Sequence, residues 1–291
     1  MVAMPVNIDM DVLRSFVTGF ELGSFARAAD RLGRSPSAIS LQLRKLEDQV
    51  GQTLVAKQGR GLMLTEAGEL MLGYARRILD LNDEARMALR GLNALEGWAR
   101  VGLPQDFAET WLPDLLGRYS RAHPKVRVEA RVDRGSELVE AVQRGELDFA
   151  LTWGDLESAH SQVVARRPVF WIGGSGDFRR DAAEPLPMIA FDAPCAFRRV
   201  AVEALEDEGV AWRQVFASPS LAGLWAAVTA GLGVTPRTLE GKPPHLVTLD
   251  PKEAGLPPLG EVDLVIHAAK AKAEPHVAEL RNLVLEAIAG R

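Results

Sequence analysis

The chain of 291 residues carries one cysteine, so no disulfide can close within it. No stretch approaches the ~18 consecutive apolar residues of a membrane span. The opening MVAMPVNIDMDVLRSF lacks a basic region followed by an apolar core, so a secretory signal is not expected and a cytoplasmic location is. Catalytic constellations are missing as well. The five histidines, at 123, 160, 245, 267 and 276, are scattered without metal-ligand spacing, and neither a metal nor a cofactor is expected. GGSGD at 173–177 lacks the strand-to-helix setting and G-x-S-x-G spacing of a nucleophile elbow. GLGVTPRT lacks the third glycine of a dinucleotide fingerprint and follows a helical stretch, and there is no Walker A lysine loop. An enzyme is therefore not expected; an unrecognised α/β enzyme and a cytoplasmic small-molecule-binding protein without DNA function stand as alternatives.

What is present begins with ordinary globular composition, 47% hydrophobic and 25% charged, over a length that predicts two or three domains. The formal charge of −5 is unevenly spread: residues 1–65 hold eight Lys/Arg against six Asp/Glu, an excess of +2 that leaves −7 for the remainder. Such a small local excess suits a module making several phosphate contacts rather than a general polycation.

The organising stretch is GSFARAADRLGRSPSAISLQLRKLE, residues 23–47. Ser24 can cap a helix with Phe25, Ala28, Ala29 and Leu32 on one face, and Gly33 supplies the left-handed residue that ends it. Ser35 can cap the next, with Pro36 at its first helical position, where a missing N–H costs nothing. Ile39, Leu43, Leu46 and Val50 then line a face to be buried, while Ser37, Leu41 and Arg44, flanked by Ser40 and Lys45, form the opposite one. Two helices joined by a glycine turn, the second small, hydroxylic and basic outside, are the helix-turn-helix arrangement, in which the second helix enters the major groove. Ser37, Ser40, Leu41 and Gln42 are the expected base readers, with Ser35 and Pro36 at the entry of the helix. Arg44 and Lys45 are expected on phosphates.

Upstream, Asp9 can start a helix presenting Leu13, Phe16, Val17 and Phe20, completing a three-helix core. Downstream, LVAKQGRGLMLT predicts a β-hairpin wing with Lys57 and Arg60 at its glycine-rich tip, suited to the phosphate backbone or minor groove. Thr65 then caps a long helix, expected from Glu66 to about Leu95 and roughly 45 Å long. Its repeat of Leu70, Tyr74, Ile78, Leu81, Ala85, Leu89 and Leu92 needs a partner, expected to be the same helix of a second subunit. From Trp98 onward, strands and helices alternate as βαβαβ and again to a final helix at 276–289, predicting two α/β lobes with a ligand cleft at the carboxyl ends of their strands.

These residues closely resemble the LysR-type transcriptional regulators of bacteria. LRSFVTGFELGSFARAADRLGRSPSAISLQLRKLEDQVG is similar to that family's N-terminal signature, RGLMLTEAGELMLGYARRIL to its wing and linker helix, and GELDFALTW with SLAGLWAAVTAGLGV to its effector-binding domain. GLPQDFAETWLP, PCAFRRVAVEAL and WRQVFASPSLAG resemble its LrhA-like branch. The resemblance implies a winged helix-turn-helix over 1–65, a dimerising linker helix over 66–96, and a two-lobed α/β effector domain, shaped like a periplasmic binding protein, over 97–291. Lobe I is expected at 97–167 and 268–291 and lobe II at 168–267, the chain crossing near Arg167 and Ala268. The implied partners are a double-stranded DNA operator, a small-molecule effector and a further copy of the chain in a homodimer or homotetramer. Two positions depart from the family: Pro36 stands where glutamine is usual and Leu41 where many members have arginine.

The same resemblance puts the effector site at Pro104, Gln105, Asp106, Phe107, Trp153, Cys195, Phe197, Arg198, Ser218, Ser220 and Thr235. Helix N-termini there favour carboxylates, and Ser218, Ser220 and Arg198 suit an anion better than the half holding Asp106. Cys195, before a helix and beside Arg198 and Arg199, is a candidate redox sensor, since such surroundings favour the thiolate.

Overall fold

A computed structural model describes residues 7–58, 61–90, 95–108 and 110–289, apart from the side chains at 57, 58, 84 and 87–90. The chain divides between Asn93 and Ala94 into two compact units.

In the first unit, helix α1 (Met10–Glu21) is capped by Asp9, whose carboxylate accepts from the Asp11 N–H. Helix α2 (Phe25–Arg31) is capped by Ser24 and α3 (Pro36–Val50) by Ser35, with Pro36 in the first turn. Gly33 and Gly51, at φ 62° and 70°, adopt the left-handed backbone that releases the chain from α2 and α3. The hairpin pairs β1 (Val55–Gln58) with β2 (Gly61–Leu64), antiparallel, from Val55 opposite Leu64 to Gln58 opposite Gly61. Helix α4 (Glu66–Arg90) follows the Thr65 cap, whose hydroxyl accepts from the Gly68 N–H. Val12, Leu13, Phe16 and Val17 of α1 meet Leu46 of α3, Leu54, and Ala75 and Leu79 of α4 in one core. Glu47 ties α3 to the hairpin, its Oε1 accepting from the Leu54 N–H at 2.8 Å and the Val55 N–H at 3.2 Å. A side chain at Gly68 would stand 2.0 Å from the Leu54 carbonyl oxygen, so only glycine lets α4 rest there.

The described part of α4, 25 residues, is about 38 Å long at 1.5 Å per residue; its expected end at 91–95 lies largely outside the described residues. The core-facing residues are Met71, Leu72, Ala75, Ile78 and Leu79, while Leu70, Tyr74 and Leu81 are 66%, 53% and 66% exposed. The stripe therefore splits, Ile78 turning inward and the other three outward.

The second unit has two lobes. Lobe I comprises β3 (Gly97–Leu103), α5 (Gln105–Ala108), α6 (Leu112–Ala122), β4 (Val126–Val132), α7 (Gly135–Gln143), β5 (Phe149–Trp153) and β6 (Ser161–Pro168). The chain then enters lobe II through β7 (Phe170–Gly173), β8 (Leu186–Ala190), α8 (Ala196–Asp207), β9 (Trp212–Ala217), α9 (Leu221–Thr229), β10 (Thr235–Arg237), β11 (Val247–Thr248) and α10 (Pro251–Ala254). It returns through β12 (Glu261–Ala268) and closes with α11 (Pro275–Ala289). The lobe I sheet has the order β4-β3-β5-β12-β6, with β3 parallel to β4 and β5, and β12 antiparallel to β5 and β6. In lobe II the parallel pair β8-β9 joins β10-β7-β11 through the bridge from Met188 to Val234.

This pairing corrects one expected boundary. At Val169 the chain passes from β6 in one sheet to β7 in the other. All of β12, however, pairs within lobe I, so the second crossing lies at Gly260 rather than Ala268. The two crossings touch, the Val169 N–H donating to the Gly260 carbonyl at 3.0 Å. The stretch VVARRPVFWIGG divides at Val169 between two sheets, its first half an exposed to half-buried strand and its second half buried; hydrophobic patterning does not say which sheet receives either half.

His267 of β12 is fully buried, its Nε2 2.9 Å from the Thr152 hydroxyl and its Nδ1 2.9 Å from the Ser158 hydroxyl. Burial holds its pKa below the ordinary 6.5, and burial also lowers that of His123 despite an opposing pull from Glu279. The unfolded chain therefore takes up these protons first, so stability should fall as pH drops from about 6.5 toward the lower folded values. Chemical denaturation at pH 7.5, 6.5 and 5.5 should show that decline, and His267→Gln should make it shallower.

Candidate functional site

Two surfaces emerge, one in each unit. On α3, Leu41 is 67% exposed, and Ser35, Pro36, Ser37, Ser40, Arg44 and Lys45 also reach solvent. The Ser35 hydroxyl accepts from the Ala38 N–H at 3.2 Å and lies 2.9 Å from the Ser37 hydroxyl, while the Ser40 hydroxyl donates to the Pro36 carbonyl at 3.0 Å. The hydroxyls thus first satisfy their own helix turn. Gln42 departs from the expected base-reading face: its Oε1 accepts from the Ser15 hydroxyl of α1 at 2.5 Å, and it is only partly exposed. Its position one residue beyond Leu41 turns it toward α1, a tie between helices.

Lys45 is also engaged, its ammonium 2.8 Å from Asp9, whose carboxyl is held below its usual range chiefly by that hydrogen bond. A phosphate at Lys45 has to compete with Asp9. Arg44 has no ion pair among the described residues and is the basic group on this face open to an anion. The expected contacts of Lys57 and Arg60 lie outside the described residues.

The second surface lies between the lobes. Asp106 of α5 and Arg237 of β10 are each about 2% exposed and form an ion pair, the Arg237 Nη2 donating to Asp106 Oδ1. The Trp153 indole donates to Asp106 Oδ2 at 3.1 Å, consuming the other oxygen. The Arg237 guanidinium stands 4.1 Å from the Phe197 ring centroid and 5.1 Å from that of Phe191. Trp153 in turn meets Phe107 at 5.4 Å and Phe197 at 5.5 Å. Aromatic faces favour a cation, and together these rings keep water from the pair. The neighbouring Gln105 reaches the start of α9, its Oε1 accepting from the Leu221 N–H at 2.6 Å and its Nε2 donating to the Pro219 carbonyl at 3.1 Å.

Of the residues expected at the effector site, Gln105, Asp106, Phe107, Trp153 and Phe197 converge here. Pro104 is buried just before α5, and Thr235 is buried on β10, two residues before Arg237. Ser220 is the N-cap residue of α9 but makes no side-chain cap bond, and the Ser218 hydroxyl accepts from its N–H at 3.1 Å. Arg198 stands apart from this group. Its guanidinium lies 5.3 Å from the Trp212 ring centroid and donates to Gln214 at 3.3 Å, so it is drawn toward β9 rather than joined to Ser218 and Ser220. Arg237, which was not among the expected residues, is the cation paired with Asp106 between the lobes. Alternation along β10 was the available signal, since it puts residue 237 on the face of Thr235.

Cys195, the N-cap residue of α8, is half-buried against Val169, Phe197 and Val262. The arginines expected to activate it have other partners: Arg199 grips Asp155 through two bonds of 2.8 and 2.9 Å, and the Arg198 Nε donates to Gln214. A separate open groove of about 440 Å³ is lined in part by Gly154, Asp155, Arg166, Arg199 and Asp263, but both its arginines are paired, with Asp263 and Asp155.

A winged helix-turn-helix followed by a bilobed α/β domain with a polar centre between its lobes defines a ligand-responsive DNA-binding regulator. Residues 10–69 match the family model of bacterial regulatory helix-turn-helix proteins of the lysR family, and residues 93–289 match that of the LysR substrate binding domain. The chain belongs to the LysR family. It is 34% identical to the HTH-type transcriptional regulator PecT of Dickeya dadantii over 97% of this chain and 87% of that protein. It is 37% identical to the HTH-type transcriptional regulator DgdR of Burkholderia cepacia over 89% of this chain and 87% of that protein. Among solved structures, its fold is similar to that of HinK, a LysR family transcriptional regulator from Pseudomonas aeruginosa, with a TM-score of 0.55 at 22% identity, covering 97% of this chain and 99% of that one. Vibrio fischeri DarR in complex with DNA gives a TM-score of 0.53 at 18% identity, covering 96% and 98%. The chain is thus a DNA-binding transcription regulator with a C-terminal effector-binding domain, of a family of regulators and not of enzymes. Among the described residues no helix is long and apolar enough to cross a membrane.

Removing one partner of a buried ion pair leaves the other uncompensated. Asp106→Asn or Arg237→Met should therefore each destabilise the effector domain by about 3–5 kcal/mol, and the double variant should recover much of that loss. Urea unfolding of the three variants measures it.

Proposed function

We propose that α3 reads the operator through Ser37, Ser40 and Leu41, entered at Ser35 and Pro36, with Arg44 on phosphate and Lys45, Lys57 and Arg60 adding backbone contacts. Residues 1–65 then form the reading head, 66–96 the linker and 97–291 the effector domain. Small molecules binding between the lobes at Pro104, Gln105, Asp106, Phe107, Trp153, Phe197 and Thr235, with Ser218 and Ser220 at the rim, modulate operator binding or activation. The segments GLPQDFAETWLP and PCAFRRVAVEAL support the LrhA-like branch, and the protein acts in the cytoplasm. The observation that carries the reading head is Leu41, a large apolar side chain 67% exposed between Ser40 and Arg44. A thymine methyl in the major groove offers such a side chain an apolar contact. The anion-selective role for Arg198 and the redox role for Cys195 lose their support with the arginines engaged elsewhere.

A homodimer, alone or paired into a tetramer, accounts for the second feature, the outward Leu70, Tyr74 and Leu81 on α4. Apolar side chains on one face of a long helix favour a partner helix, and two reading heads then meet two half-sites.

Footprinting identifies the operator, and titrations with variants then test the assignments. Leu41→Ala should weaken binding only to operators with thymine at one fixed position; a uniform loss on all DNA refutes the contact. Arg44→Ala should weaken binding on every sequence and lower the salt slope by about one. Deleting residues 1–65 should abolish specific DNA retention yet leave effector binding. Leu70→Glu combined with Leu81→Glu should shift sedimentation of the full chain toward the monomer; an unchanged mass sinks the helix-pairing assignment.

A further inference from the structure

The centre between the lobes is a receptor whose two halves satisfy each other. Asp106 on lobe I is an anion with both oxygens engaged, by Arg237 and by the Trp153 indole. Arg237 on lobe II keeps donor capacity in reserve: its Nε is buried without a partner among the described residues, as are the Thr235 and Thr238 hydroxyl oxygens. Thr235 and Arg237 alternate onto one face of β10. Beside the pair, the Gln105 amide oxygen occupies the Leu221 N–H at the start of α9 as a carboxylate oxygen does.

We infer that this centre takes a zwitterionic α-amino acid with an apolar side chain, the ammonium on Asp106 and the carboxylate on Arg237 and the α9 N-terminus. The inference deepens the effector reading and rests on it. Charge balance selects the ligand class. Opening the lobes separates Asp106 from Arg237. A simple carboxylate bound to Arg237 leaves Asp106 without a cation on closure, and a simple amine bound to Asp106 leaves Arg237 without an anion. Either case buries an unpaired charge, which is costly. A zwitterion replaces both partners at once, and the closed centre keeps its neutrality. Its carboxylate also replaces the Gln105 oxygen at Leu221 N–H, while Phe107, Trp153 and Phe197 supply apolar surface for the side chain.

Thermal unfolding of the full chain tests this with L-valine and L-phenylalanine. Each is compared with its amine, isobutylamine or 2-phenylethylamine, and its deaminated acid, isovalerate or 3-phenylpropanoate. At about one hundred times its Kd, at least one of the two amino acids should raise Tm by roughly 5 °C, with its amine and acid at least about tenfold weaker. The variant Asp106→Asn/Arg237→Gln, which retains a neutral hydrogen-bonding pair, should still unfold cooperatively and lose that response. A shift by amine or acid equal to that of the amino acid, or a response kept by the double variant, overturns the zwitterion assignment while leaving a ligand-binding effector domain in place. Absence of any shift with all six probes overturns it as well. Operator retention measured in parallel on the same samples decides the DNA-binding reading independently.

Discussion

One ion pair joins the two lobes of the effector domain at a point where neither charge can reach water. Asp106 and Arg237 come from different lobes, and each meets aromatic rings of its own lobe, Trp153 for Asp106 and Phe191 and Phe197 for Arg237. At such burial the attraction is barely screened, but so is the penalty for separation, which makes the arrangement stable only as a pair. Gln105, adjacent in sequence, spans the same interface to the start of α9. Two consecutive residues of the short helix α5 thus hold lobe II, Gln105 at the start of α9 and Asp106 at Arg237.

The DNA-binding unit follows a different rule. Its helices are specified almost wholly by local chemistry: side-chain caps at Asp9, Ser24 and Ser35, left-handed glycines at 33 and 51, and a core of α1, α3 and α4 side chains. The surface left for recognition is what remains after the fold has satisfied itself. Gln42 and Lys45 are spent partly on α1 and its cap, whereas Arg44 and Leu41 are not. Polarity in sequence therefore overstates how many side chains face a partner.

Much of the architecture was legible beforehand because period and punctuation are local. Helix α3 begins at its proline and ends at its glycine, and the alternating strands and helices from Gly97 onward appear in the expected order. The crossover at Gly260 was not legible, because EVDLVIHA reads as the same buried strand whichever sheet receives it. Arg198 looked like the cation of the cleft because it sits beside a helix start, yet Trp212 and Gln214 draw it to β9. Helix α4 showed its apolar stripe, but only the packing separated Ile78, turned into the core, from Leu70, Tyr74 and Leu81, turned out.

The amino-acid sequence by itself determined the winged helix-turn-helix, the long helix behind it and the alternating α/β lobes, since caps, glycine turns and hydrophobic period act over a few residues. Tertiary structure alone decided which charges meet. Asp106 and Arg237 are 131 residues apart, on different lobes. Their partnership follows from sheet topology bringing β10 to the first turn of α5, and no local pattern encodes a contact whose two halves are each unstable without the other.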